Sequence, residues 1–160
     1  MNAVREWDVF TEDGFLACYQ ATFREMYGYA GLLCGHDRDQ AEALVRAVYH
    51  DALEQVQQHG LTTITYGSLR LAIRTRWIDH WRDHERALRS GAASAAEAGS
   101  GVVAKLADLS IRERTVAVMH FVDDLPVGRV AEQLGVGESS VSAVLTRAVR
   151  RLGNGEVRDA

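Results

Sequence analysis

Apolar positions recur at threes and fours along most of the chain, a spacing that predicts helices rather than strands. Phe15, Tyr19, Phe23, Met26, Ala30 and Leu33 form one stripe, closed by Gly35. Asp37 or Asp39 can cap the next helix, whose stripe is Ala41, Leu44, Val45, Val48, Ala52 and Val56, ending before Gly60. The β-branched stretch Leu61 to Thr65 has no partner run and is expected to be an extended connection. A third helix is predicted from about Ser68 to Leu88, free of glycine and proline, with Leu69, Ile73, Trp77 and Trp81 at intervals of four.

The pattern then stops. Arg89 to Gly101 reads RSGAASAAEAGSG, with no large apolar residue, so it cannot bury surface and is expected to be a flexible linker. Three shorter helices follow. Ile111, Thr115, Val118, Met119 and Val122 mark the first, and Pro126 opens the second, whose apolar face is Val127, Val130, Ala131 and Leu134. Gly135-Val136-Gly137 makes a tight turn into the third, lined by Val141, Leu145, Ala148 and Leu152. The fold class expected is all-α. Two small helical domains, over 1–89 and 105–160, are joined by an Ala/Gly/Ser-rich linker at 90–104.

Composition narrows the classes. Apolar residues make up 47% of the chain and charged ones 25%, a globular balance rather than a disordered one. No apolar run is long enough to span a bilayer and no secretory signal is visible, and two cysteines, Cys18 and Cys34, cannot define a disulfide framework. A cytoplasmic protein without membrane insertion is expected. A formal net charge of -4 speaks against nucleic acid until it is divided along the chain. Residues 1–65 carry four arginines against ten acids, whereas residues 66–89 carry six against three. The segment 140–152 holds Arg147, Arg150 and Arg151 with no acid. A local patch matters more to a phosphate backbone than the total.

Two segments carry candidate chemistry. Helix, three-residue glycine turn, helix is the spacing of a helix-turn-helix, with small Ala131 where the helices cross and Val136 in the angle between them. Glu138, Ser139, Ser140, Ser142, Ala143, Thr146 and Arg147 then occupy the start and outer face of a helix that can lie in a major groove. The plainer alternative is a three-helix bundle without DNA contact. The third helix interleaves Arg70, Arg74 and Arg76 with Trp77 and Trp81, and melted DNA needs both charge for phosphate and flat faces for unstacked bases. Each tryptophan taken singly fits a core position as well. His80 and His84 share a helix face but have no third ligand, so no metal is expected. Phosphate-binding glycine loops, nucleophile elbows and paired carboxylates are absent, so neither catalysis nor a cofactor is called for.

These residues resemble the extracytoplasmic-function sigma factors of bacterial RNA polymerase. The stretch MYGYAGLLCGHDRDQAEALVRAVYHDAL is similar to that family's region 2.1–2.2. IRTRWIDHWR is similar to its I-A-R-N-x-x-I-D-x-x-R stretch in regions 2.3–2.4, and LADLSIRERTVAVMHFVDDLPVGRVAEQLGVGESSVSAVLTRAVRRL follows its region 4. The resemblance implies a region 2 bundle of three or four helices and a region 4 helix-turn-helix. It implies docking on the β′ clamp helices of core polymerase through Glu42, Val45, Arg46, Tyr49 and Asp51. The −10 element would be read by Arg70, Arg74, Thr75, Arg76, Trp77, His80 and Arg82, with Thr75 at the family's base-pocket asparagine. The −35 element would be read by Glu138, Ser139, Ser140, Ser142, Ala143, Thr146, Arg147 and Arg150, with the β flap against region 4's apolar face. Promoter DNA and core polymerase are the implied partners, with an anti-sigma factor as a further one. Arg46 stands in a normally acidic stretch, and Ser142 and Val144 align with the family's usual lysine and arginine. Two rival readings are a degenerate sigma-like regulator acting by protein contact and a stand-alone helix-turn-helix regulator.

Overall fold

The computed structural model describes residues 6–9, 11–60, 62–89, 106 and 108–153, and the predicted linker at 90–104 lies outside the described residues. The architecture is all-α with one short β-pairing. Its elements are β1 (Glu6–Val9), α1 (Glu12–Cys34), α2 (Arg38–His59), β2 (Thr62–Thr65) and α3 (Tyr66–Arg89). Further along the chain come α4 (Ile111–Ala117), which runs on into a π-helical turn at Val118–Val122, then α5 (Val127–Leu134) and α6 (Glu138–Gly153). No helix among the described residues is long and apolar enough to cross a membrane. The chain forms two compact units: Met1–Gly31 with Asp37–Trp77, and Leu32–His36 with Ile78–Ala160.

In the first unit, α2 starts where Asp37 accepts a hydrogen bond from the Gln40 amide at 3.0 Å. That leaves one fewer orphan donor at the helix start. Gly60 ends the helix with a φ of 78°, which glycine adopts at little cost. Leu61 to Thr65 is not an unpaired connection. Its residues from Thr62 pair antiparallel with β1, in the register Trp7 with Ile64 and Val9 with Thr62. The partner alternates acid and apolar residues over only four positions, too short for its period to stand out. At the strand's end Thr65 and Ser68 cap α3 reciprocally: the Ser68 amide donates to Thr65 Oγ1, and the Thr65 amide to Ser68 Oγ, both at 2.9 Å.

Met26, Ala30 and Leu33 of the expected α1 stripe are buried, but the first half of the helix is turned from it. Cys18, Thr22, Met26, Tyr29 and Ala30 are buried, while Phe15, Tyr19 and Phe23 are half-buried on one flank. Those rings cover Tyr49 of α2, edge-on for Tyr19 at 4.8 Å between centroids and for Phe15 at 6.3 Å. Thr22 Oγ1 donates to the Cys18 carbonyl at 2.7 Å, so its proton is spent and the Tyr49 hydroxyl donates to it at 2.6 Å. The polar pair is thereby satisfied inside the core. Burial pushes the Tyr49 phenol up to about 12.

The second unit is built around Ile78, Trp81, Val116, Met119, Val130, Ala131, Leu134, Val141, Val144 and Leu145, all buried. Ser110 caps α4 in a capping box. Its hydroxyl accepts from the Glu113 amide at 3.2 Å, and Glu113 Oε2 accepts from the Ser110 amide at 3.0 Å. Arg114 Nε donates to the Leu33 carbonyl at 2.7 Å and Nη1 to Leu106 at 3.3 Å, and burial lowers its pKa below the usual arginine range. The π-helical turn closes with the Asp123 amide on the Val118 carbonyl at 3.1 Å, an i→i+5 bond. Val122, expected in the core, is thereby exposed, as is Phe121.

Candidate nucleic-acid interface

Helix α5 begins at Pro126, which sits just before the first helical residue and whose carbonyl accepts from the Arg129 and Val130 amides. It ends at Gly135, left-handed with φ 66°, a conformation costly for any residue with a Cβ. The Val136 amide reaches back to the Ala131 carbonyl at 3.0 Å, and Val136 packs on the core from the corner of the turn. Gly137 then accepts the first helical bonds of α6 from Ser140 and Val141. The expected helix-turn-helix is therefore formed, residue for residue.

One face of α6 is core and the other is open. Val141, Val144, Leu145 and Ala148 are buried, while Glu138, Ser139, Ser140, Ser142, Ala143, Thr146, Arg147 and Arg150 are all exposed. Val144 is buried and cannot stand in for a basic DNA contact, whatever residue the family has there. Glu138 lies back over α5, its Oε1 3.0 Å from where a Cβ on Gly128 would be. Glu113 of α4, whose side chain is only 5% exposed, draws in two arginines: Arg151 Nη1 at 3.0 Å and Arg147 Nε at 3.7 Å. Sequence gives no sign of this. Arg150, one residue from Arg151, takes no part in the Glu113 cluster.

The residues expected at the −10 element divide between the two units. In the first, Arg70 lies 4.9 Å from the centroid of the Tyr29 ring, Arg74 and Trp77 are buried, and Thr75 and Arg76 are exposed. Arg76 forms an ion pair with Asp51 of α2. In the second, His80 is exposed, and Arg82 Nη2 donates to the carbonyls of Gln133 and Leu134 at 3.4 and 3.5 Å, beside the negative end of α5. Trp77 and Trp81 are core residues, 2% and 4% exposed, so neither offers a stacking face in this structure.

Of the residues expected to meet polymerase, Val45 and Tyr49 are buried. Glu42 and Arg46 pair with each other on the exposed side of α2, and Asp51 pairs with Arg76. His50, Asp51 and Glu54 bring their ligand atoms within 4.8 Å of one another on that same exposed side. The second unit also carries a shallow groove of about 310 Å³ lined by His120, Phe121, Asp124, Leu125 and Pro126. His120 Nδ1 lies 2.8 Å from the Leu125 carbonyl, which fixes the ring edge-on to Phe121.

Residues 106–153 match the family described as Sigma-70, region 4. Among solved structures, the chain is similar to the sigma factor RpoE of Bartonella quintana, determined in complex with the anti-sigma factor NepR. The TM-score is 0.60 at 16% identity, over 94% of this chain and 100% of the other. No curated protein sequence matches. Residues 106–153 are thus a sigma-70 region 4, a module of promoter recognition in transcription initiation, and the fold that carries it is a sigma factor's, which bears out the resemblance to the extracytoplasmic-function sigma factors.

Proposed function

We propose that the chain directs core RNA polymerase to promoters in the cytoplasm, lending sequence specificity to an enzyme that supplies the catalysis. The observation that carries this is the helix-turn-helix of α5 and α6, with a core-packed inner face and an outer face of short polar side chains followed by arginine. Such a helix fits a major groove, its outer residues at base edges and its basic end at phosphate. This face reads the −35 element through Ser139 to Arg150.

The exposed residues of α3, Thr75, Arg76 and His80, meet the −10 element, and Arg70, Arg74, Trp77 and Arg82 support the helix that presents them. Thr75 lacks the amide that both donates and accepts to a base, which alters the −10 preference. Glu42, Arg46 and Asp51 form the surface offered to the β′ clamp helices. The exposed apolar pair Phe121 and Val122 forms the surface offered to the β flap. An anti-sigma factor is a further partner, covering these same surfaces when transcription is not required.

A second reading, a sigma-like regulator acting only by protein contact, draws on the number of arginines engaged inside the protein: Arg76 with Asp51, and Arg147 and Arg151 with Glu113. Run-off transcription from a promoter library separates the two. Transcripts that require both core polymerase and this chain support the promoter role. Stable binding to polymerase with no transcript supports the second reading. Duplex binding and regulation without polymerase point instead to a stand-alone regulator.

A further inference from the structure

On a helix turning 100° per residue, Ser139, Ala143, Thr146 and Arg150 share the middle of the exposed face of α6. Base discrimination from this face depends on what those side chains offer. A guanine is read through its N7 and O6 by an arginine fork, and an adenine by an amide. No amide stands on α6, and two of its three arginines, Arg147 and Arg151, are drawn to Glu113. Arg150 is left, near the end of the helix.

Thr146 is the central residue of that face, and its hydroxyl proton is already committed. Oγ1 donates to the carbonyl of Ser142 on the same helix at 2.9 Å. Turning the hydroxyl onto the backbone leaves the Cγ2 methyl as the group Thr146 offers outward. Ala143, one turn earlier, offers only a methyl, and Val149, 51% exposed, adds an apolar flank. The serines at 139, 140 and 142 donate or accept and do not discriminate between bases. The one base feature in the major groove that matches outward methyl groups is the C5-methyl of thymine.

We propose that α6 reads thymine methyl groups through Thr146 and Ala143, so that its duplex target is specified by thymines at the centre of the contacted element rather than by guanines. This rests on the promoter reading above. Its test uses holoenzyme reconstituted from core polymerase and the full chain, with duplexes selected from a random upstream library. Each thymine of the selected upstream element is then replaced by deoxyuridine, which removes only the methyl.

At one or two adjacent positions the replacement should weaken binding about fourfold, the factor that corresponds to burying one methyl-sized group at about 0.8 kcal/mol. Thr146→Ser, which keeps the hydroxyl and drops the methyl, should abolish the sensitivity at one of those positions, and Ala143→Gly at the other. A selected duplex indifferent to deoxyuridine overturns the inference alone. So does a sensitivity that survives both substitutions. Failure of the holoenzyme to select any duplex overturns the promoter reading, and this inference with it.

Discussion

Glu113 offers the sharpest test of how α6 meets DNA. Its carboxylate accepts from the Ser110 amide and from Arg151 at 3.0 Å and forms an ion pair with Arg147 at 3.7 Å, so one buried acid closes a helix cap and restrains two cations. Glu113→Gln keeps an oxygen for Ser110 and removes the charge. The lost charge-assisted bonds should cost about 1–2 kcal/mol of stability. Both arginines keep more than half of their side chains exposed, so once released they can turn toward phosphate. Each added phosphate contact steepens the dependence of log K on log salt by about 0.9, so two would add about 1.8, roughly a twelvefold greater loss between 50 and 200 mM salt. Filter binding of holoenzyme to one promoter across that range measures the slope, and the constant contribution of the polymerase cancels between wild type and variant. A folded variant with an unchanged slope would show that neither arginine is held back from DNA by Glu113.

Three further outcomes are expected. Trp81→Ala should destabilise the second unit by about 3–5 kcal/mol, because the ring is 4% exposed and packs with the helix-turn-helix core; amide exchange in Val130–Leu145 no faster than in wild type would refute this. With the Tyr49 phenol raised to about 12, the folded protein keeps a proton that the unfolded chain releases near pH 10. Its contribution is intact below pH 10 and falls as pH rises toward 12, by on the order of 2–3 kcal/mol. Urea midpoints over that range should therefore drop in wild type and drop less in Tyr49→Phe, and parallel curves would contradict the assignment. Asp37→Ala should cost about 1 kcal/mol by removing the α2 cap, and thermal unfolding indistinguishable from wild type would refute the cap.

Features governed by local spacing were legible in the sequence. The run Leu69, Ile73, Trp77, Trp81 is buried throughout, and the turn at Gly135-Val136-Gly137 follows from residues whose backbone preferences are strong enough to act alone. What stayed hidden depends on residues far apart in the chain. Glu113 and Arg151 are separated by 38 positions and Thr22 and Tyr49 by 27, and no periodicity ties one to the other. In the first half of α1 two stripes compete, whereas Met26, Ala30 and Leu33 of the expected stripe are buried. The aromatic one has the larger rings, yet Cys18 and Thr22 fill the space beneath, while the rings flank Tyr49. Periodicity puts Val122 in the core because it assumes a constant 100° step, and the π-helical turn breaks that step. The segregation of charge pointed to DNA, but the ion pairs that commit Arg76, Arg147 and Arg151 appear only in three dimensions.

That turn has a consequence for how this segment tolerates change in length. Val118–Val122 holds one residue more than an α-helical turn of the same span, with Asp124 in a left-handed conformation just beyond it. Loss of one residue elsewhere in a core helix rotates everything after it by 100° and scrambles the buried face. Loss of one residue between His120 and Val122 instead relaxes the helix to ordinary pitch while Met119 keeps its place. Length variation among relatives is therefore expected at this point in the middle of a helical segment, where an alignment would ordinarily forbid a gap.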